Sequence, residues 1–160
     1  MIRLPILEKL EQSSQARHWT DSIPLEYHYT VGVAGEEFRR ELKDNGKFLA
    51  SKCSKCKTTY LPARLFCPAC FVETRDRVTV DSAGYVYSYT TLSRDRAGEH
   101  TKEPLVVALV KFEGVKGGIV HRLHLPDKSK LTFGMKVQPV LKPATERTGA
   151  LTDILGFRQV

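Results

Sequence analysis

Two Cys-x-x-Cys pairs, Cys53 with Cys56 and Cys67 with Cys70, hold all four cysteines of this 160-residue chain and stand ten residues apart. No other feature constrains the fold as tightly. Each pair can close as a tight turn that aims two sulfurs and several backbone amides at one point. Two such turns from neighbouring hairpins supply a tetrahedron of thiolates. Zinc fits this donor set best, and iron suits the same four ligands. Two other arrangements use the same residues: four reduced cysteines buried as small apolar groups, or two disulfides. Paired spacing argues against the first and a reducing compartment against the second. A thioredoxin-type redox pair opens a helix after a strand, whereas both pairs here lie in Lys-, Thr- and Pro-rich turn sequence. A centre with four protein ligands has no open coordination position, so its metal staples the fold and does no catalysis. The 29 residues from 47 to 75 are too few to cohere by apolar burial, and metal binding replaces the missing core.

Charge is concentrated on the same segment. Lys47, Lys52, Lys55, Lys57, Arg64 and Arg75 face only Glu73 there, giving +5 of a formal +7 for the whole chain, while residues 1–46 carry −2 and 76–160 carry +4. Four thiolates around a divalent cation contribute −2, which lowers the ribbon to about +3 and the chain to about +5. An acidic partner face or a phosphate-bearing ligand suits that balance, and it is less than a nucleic-acid surface usually needs. The longest apolar run, Leu105 to Val110, is six residues, far short of the roughly 20 that cross a bilayer. Met1 to Lys9 lacks the continuous apolar stretch and small-residue site of a secretory signal. The expectation is a cytoplasmic protein with no membrane partner.

The remainder divides into helical and strand-like stretches. Pro5, Ile6, Leu7 and Leu10, with Arg17 and Trp19 beyond, predict a short amphipathic helix, and Asp21 to Thr30 an extended linker. A second helix is predicted over Gly35–Asp44, with Phe38 and Leu42 on one face and Asn45-Gly46 as its stop. From Arg77 the period becomes that of strands. Val78 to Tyr89 reads as one long strand bent at Ala83-Gly84, its tyrosines 85, 87 and 89 sharing a core-facing side. Leu105–Phe112, Ile119–Leu125, Lys136–Leu141 and Asp153–Val160 follow, with Pro139 arguing for an edge or a bulge. Five strands in about 85 residues, the first long and bent, fit a small OB-type barrel, with a sandwich as runner-up. The fold class is therefore mainly β with N-terminal helices. Its parts are a helical segment over 1–46, a four-cysteine zinc ribbon over 47–75 and a five-stranded OB-type barrel over 76–160.

The order of these parts is specific. A helix, a Lys-led strand into the first cysteine pair, Tyr60-Leu-Pro-Ala-Arg64, Cys67-Pro-Ala-Cys70 and then Ser82-Ala-Gly84-Tyr-Val-Tyr-Ser-Tyr-Thr90 together resemble the zinc-ribbon/OB-fold acyl-CoA-associated family, long catalogued as a domain of unknown function. Thr132-Phe-Gly-Met-Lys-Val137 and Leu155-Gly-Phe-Arg158 are similar to that family's C-terminal half, and the likeness spans about residues 35 to 160. Family members often carry Gly directly after the first pair and an aromatic-Pro-Pro-Arg segment before the second. Here Lys57 and Leu61-Pro62-Ala63-Arg64 stand there. The resemblance implies a rubredoxin-like ribbon with a metal held by Cys53, Cys56, Cys67 and Cys70. It also implies a non-catalytic accessory subunit or scaffold that binds a thiolase-superfamily enzyme, in some systems bridging it to 3-hydroxy-3-methylglutaryl-CoA synthase, with acyl-CoA as a ligand.

The residues themselves agree with a non-enzyme. Thiolase chemistry needs a cysteine nucleophile, and every cysteine here is committed to the metal. No GxSxG elbow, HExxH, or Walker or dinucleotide glycine pattern occurs in the chain. His18, His28, His100, His121 and His124 are scattered, and His121 and His124 point to opposite faces of their strand. Lys55, Lys57 and Arg64 on the ribbon and Arg94 and Arg96 in a loop are the candidates for the anionic nucleotide end of coenzyme A. Each is also an ordinary solvated charge. The alternative function is single-stranded nucleic-acid binding, which both zinc ribbons and OB barrels serve. It wants stacking aromatics on the second and third barrel strands, where only Phe112 is found.

Overall fold

Ala34, Phe38 and Leu42 recur at intervals of four residues, and this spacing lines one side of a helix. In the computed structural model, which describes residues 12, 14, 22–23, 25–80, 83–95 and 97–160, helix α1 runs over Gly32–Asn45 and buries those three side chains. Gly46 ends it in the left-handed conformation at φ 65°, its N–H returning to the carbonyls of Glu41 and Leu42. The helix expected from Pro5 to Trp19 lies outside the described residues. Those described between 22 and 30 have no regular secondary structure, and the rings of Tyr27 and Tyr29 stack at 6.1 Å. The chain forms two units, 1–30 and 31–160, and all helices and strands named below belong to the second.

Among the described residues nine strands follow the helix: β1 (Phe48–Lys52), β2 (Thr59–Leu61), β3 (Asp76–Val80), β4 (Gly84–Arg94), β5 (His100–Lys111), β6 (Val115–Gly117), β7 (Ile119–His124), β8 (Lys136–Leu141) and β9 (Ile154–Gln159). They form a four-stranded sheet in the order β3-β1-β2-β6 and a closed barrel in the order β4-β5-β7-β9-β8. β7 and β9 run parallel while the other barrel pairs are antiparallel. This is the five-stranded closed topology of an OB-fold.

Two strand readings are corrected. Val78 to Tyr89 is not one bent strand. β3 pairs with β1 across Phe48↔Val80 to Lys52↔Asp76 and so belongs to the ribbon sheet, while the barrel begins at Gly84. Gly84 is required there because a β-carbon would meet the Val110 side chain at 2.6 Å and the Lys111 carbonyl at 2.8 Å. Nor do the three tyrosines share a face. A bulge between Val86 and Ser88 inserts Tyr87 as an extra residue and reverses the alternation after it. Tyr89 then packs on the core, whereas Tyr87 is exposed beneath the Lys111 ammonium, 3.4 Å from its ring centroid. β6, unpredicted, runs parallel to β2 from Thr59↔Val115 to Leu61↔Gly117, so a turn between two barrel strands completes the ribbon sheet.

One ring joins the parts. Phe48 of β1 is buried and lies 6.4 Å from Phe38 of α1, 5.6 Å from Phe112 and 6.4 Å from Phe157 of the barrel, ring centre to centre. Helix, ribbon sheet and barrel therefore share one apolar core. The cysteine region keeps a separate small cluster of Cys53, Tyr60 and Cys67 with Cys70 and Val72 against it.

Candidate metal centre

β1 ends at Lys52, and the chain turns through Cys53 to Cys56 before β2 returns from Thr59. The turn is closed by Cys53 N–H donating to the Thr58 carbonyl at 2.9 Å and Lys57 N–H donating to the Cys53 carbonyl at 3.0 Å. The second knuckle repeats it: Cys67 N–H donates to the Val72 carbonyl at 2.9 Å and Phe71 N–H to the Cys67 carbonyl at 2.9 Å. In each, the residue after the second cysteine is left-handed, Lys57 at φ 59° and Phe71 at φ 56°. Glycine adopts that conformation without strain, whereas a side chain at either position is held there against its preference.

The two knuckles converge. All four sulfurs lie within 4.8 Å of one another, and the Cys56 and Cys67 sulfurs are 3.7 Å apart. A tetrahedron with metal–sulfur bonds of about 2.3 Å has edges of about 3.8 Å. All four cysteines are free, Cys53 and Cys67 buried, Cys70 half-buried and Cys56 exposed. Three of the four thiols depart from their ordinary acidity. The hydroxyl and amide of Thr58 push the Cys56 thiol down to about 6. Burial works to raise Cys67, but the amides of Ala69 and Cys70 and the Tyr60 hydroxyl outweigh it and leave that thiol below its ordinary value. Burial, then the neighbouring Cys56 and Cys67 sulfurs, push Cys70 up to about 12. Four sulfurs crowd one point, and a cation at their centre would offset the charge of the thiolates that bind it. The residues present fit a metal ion with four thiolate ligands.

Side chains that the sequence reading passed over hold the knuckles in place. Tyr60, buried on β2, brings its hydroxyl to 3.7 Å from the Cys67 sulfur. Buried Ser51 accepts the Arg64 amide at 2.9 Å, and buried Thr74 donates its hydroxyl to the Arg64 carbonyl while its own N–H reaches the Leu65 carbonyl at 2.8 Å. Arg77 donates to the Thr74 carbonyl and to Glu37 of α1, tying the second knuckle to the helix. A lone Ser or Thr in a strand-rich sequence gives no signal of such a role.

The basic candidates separate. Lys55, Lys57 and Arg64 are exposed on the knuckles, Arg64 with its guanidinium carbon 5.5 Å from the centre of the Tyr60 ring. Arg94 ends β4 and donates to the Gly98 carbonyl at 2.7 Å in the hairpin turn. Arg96 lies outside the described residues. His121 is half-buried beside the Phe157 ring, its imidazole kept less basic than usual mainly by burial, while His124 is exposed and pairs with the Leu155 carbonyl at 3.1 Å. The two point apart, as the strand period requires.

Comparison with known proteins matches residues 40–74 to the rubredoxin-like zinc-ribbon domain of ChsH2 and residues 77–142 to the C-terminal OB-fold domain of ChsH2. A solved structure of a protein of unknown function from the DUF35 family of Sulfolobus solfataricus is 30% identical, with a TM-score of 0.63, over 80% of this chain and 84% of that one. A second, described as the Ltp2-ChsH2(DUF35) aldolase, is 24% identical with a TM-score of 0.58 over 82% of this chain and 98% of that one, and shows the same fold. No curated protein matches the chain. With its sulfur centre in the ribbon, its closed barrel behind it and these likenesses to both, the chain belongs to the DUF35 family of zinc-ribbon and OB-fold proteins.

Proposed function

We propose that this chain is a non-catalytic accessory subunit that binds a thiolase-superfamily enzyme and contributes to enclosing its acyl-CoA. The carrying observation is the commitment of all four cysteines to one sulfur cluster. Acyl transfer through a thioester needs a cysteine that can attack, so that thiol has to come from another chain. The ChsH2 domain matches support the reading, as does the likeness to the structure described as the Ltp2-ChsH2(DUF35) aldolase.

Zinc held by Cys53, Cys56, Cys67 and Cys70 belongs to this proposal, because a closed four-thiolate site is the structural zinc arrangement. So does the division at 46; that at 75 fits the matches at 40–74 and 77–142, while β3 pairs into the ribbon sheet and the barrel begins at Gly84. Of the five candidates for the phosphates of coenzyme A, Arg94 and Arg96 stay with this proposal, and Lys55, Lys57 and Arg64 on the knuckles are assigned to the partner's face. A bridge to 3-hydroxy-3-methylglutaryl-CoA synthase has no support beyond the resemblance. Among the described residues no helix is long and apolar enough to cross a membrane, and a cytoplasmic location goes with the proposal. The nucleic-acid alternative loses its best stacking residue: Phe112 is buried in the core.

Co-expression with the thiolase-superfamily enzyme encoded nearest to it tests the reading. A complex that survives gel filtration, with faster acyl transfer than the enzyme alone, is expected. An enzyme that neither binds nor responds would sink it.

A further inference from the structure

The second knuckle is built against its own fold's interest at one residue. Phe71 holds the left-handed conformation at φ 56°, unfavourable for any residue with a β-carbon, yet its side chain is 83% exposed. Its backbone closes the knuckle onto the Cys67 carbonyl, but its ring belongs to neither apolar cluster among the described residues. Phe66, at 56% exposure, and Leu65, at 37%, lie in the same short segment, where Phe66 bridges to Glu73 across the knuckle. An apolar tip thus stands in water on the one part of the chain that a metal would make rigid. A rigid aromatic loses little freedom on docking, which is the property of an interface anchor.

The surroundings specify what docks. Glu73, the only acid between residues 47 and 75, is consumed by Arg75, whose Nε and Nη2 reach it at 2.9 and 2.8 Å. Lys55, Lys57 and Arg64 are exposed and make no ion pair among the described residues. Apolar rings flanked by unopposed cations match a protein face with an apolar pocket and a rim of Asp and Glu. A single-stranded nucleic acid would engage the cations and stack on the rings, but it has no use for Leu65, whose aliphatic side chain offers no stacking plane.

We infer that the second knuckle of the ribbon, with Phe71 as its anchor and Phe66 and Leu65 beside it, is the surface that inserts into an acidic-rimmed apolar pocket of the partner enzyme. The inference rests on the accessory-subunit reading and names the face used.

The test is titration of the full-length, metal-loaded chain against the co-expressed thiolase-superfamily enzyme, by calorimetry or surface binding. Phe71→Gly removes the ring while giving the backbone the residue that suits φ 56°, so folding and metal content are expected to hold. Affinity is expected to fall at least about tenfold. Phe66→Ala is expected to weaken binding in the same direction, and Lys55→Glu with Arg64→Glu to lower the association rate and its salt dependence. Phe133→Ser, on the barrel, is the control and is expected to bind as the parent does. If the parent binds and Phe71→Gly binds equally tightly, the knuckle is not the interface, although the accessory reading stands. If the parent does not bind the enzyme at all, both fall. Loss of oligo-dT binding in Phe71→Gly, with enzyme binding unchanged, would make the tip a stacking platform and overturn the inference.

Discussion

The hydroxyl of Tyr60 lies 3.7 Å from the sulfur of Cys67, both groups buried, on opposite sides of the gap between the two knuckles. The contact pulls the Cys67 thiol down and, in return, raises the phenol above its ordinary value, chiefly through that same hydrogen bond. A hydroxyl donating to a ligand sulfur disperses its charge and fixes its direction. Tyr60→Phe keeps the ring in the cluster and deletes this donor, together with the hydroxyl's hydrogen bond to Thr58. Metal affinity, measured by competition with a chromophoric chelator, is expected to fall about 10- to 100-fold, with far-UV circular dichroism unchanged.

Lys57 at φ 59° places a side chain where glycine would rest without strain. Lys57→Gly is expected to stabilise the metal-loaded ribbon by about 1 kcal/mol, the strain relieved less the added freedom of the unfolded chain. Slower metal loss to excess chelator would register it. A faster loss would show that the lysine's charge near the thiolates outweighs the backbone term.

Phe48 carries the junction of helix, ribbon and barrel through its contacts with Phe38, Phe112 and Phe157. Phe48→Ala opens a cavity at that junction and is expected to cost about 4 kcal/mol. Urea unfolding should show the helix and barrel losing stability together, since they share this core.

Asp153 is fully buried in the loop before β9 and accepts the Thr148 and Gly149 amides at 2.8 and 2.7 Å, with the Lys142 ammonium 3.5 Å away. Burial alone would raise its carboxyl, but the Gly149 and Thr148 amides and the Lys142 charge outweigh burial and hold it below the usual carboxylate range. Its folded pKa is thus below its unfolded value of about 3.9. The stabilisation is complete above about pH 5, declines as pH falls through the unfolded value and is lost below the folded one. Asp153→Ala is expected to lose about 3 kcal/mol at pH 7 by stranding two amides and a lysine. The gap between parent and variant in urea midpoint should narrow on acidification; a gap constant from pH 7 to pH 3 would contradict the assignment.

The helix and most of the barrel were legible because their signals are periodic and local. Phe38 and Leu42 marked α1, and Lys136–Leu141 is a strand with the predicted ends. The bulge at Tyr87 was not legible, since one inserted residue leaves composition untouched while reversing which side chains face inward. The pairing of β3 with β1 and of β6 with β2 was equally hidden, because the partners are far apart in sequence and strand propensity does not name them.

By itself the sequence determined the chemistry of the centre. The spacing of the two pairs suits one four-sulfur cluster, and four thiolates gathered at one point suit a cation. Only the tertiary structure decided what surrounds that cluster: that Tyr60 reaches Cys67, that Arg77 ties the second knuckle to α1, and that Phe71 is left in water. Ligand identity is a property of residue type. Burial, hydrogen bonding and exposure belong to whichever segments the fold happens to bring together, and no local pattern encodes that.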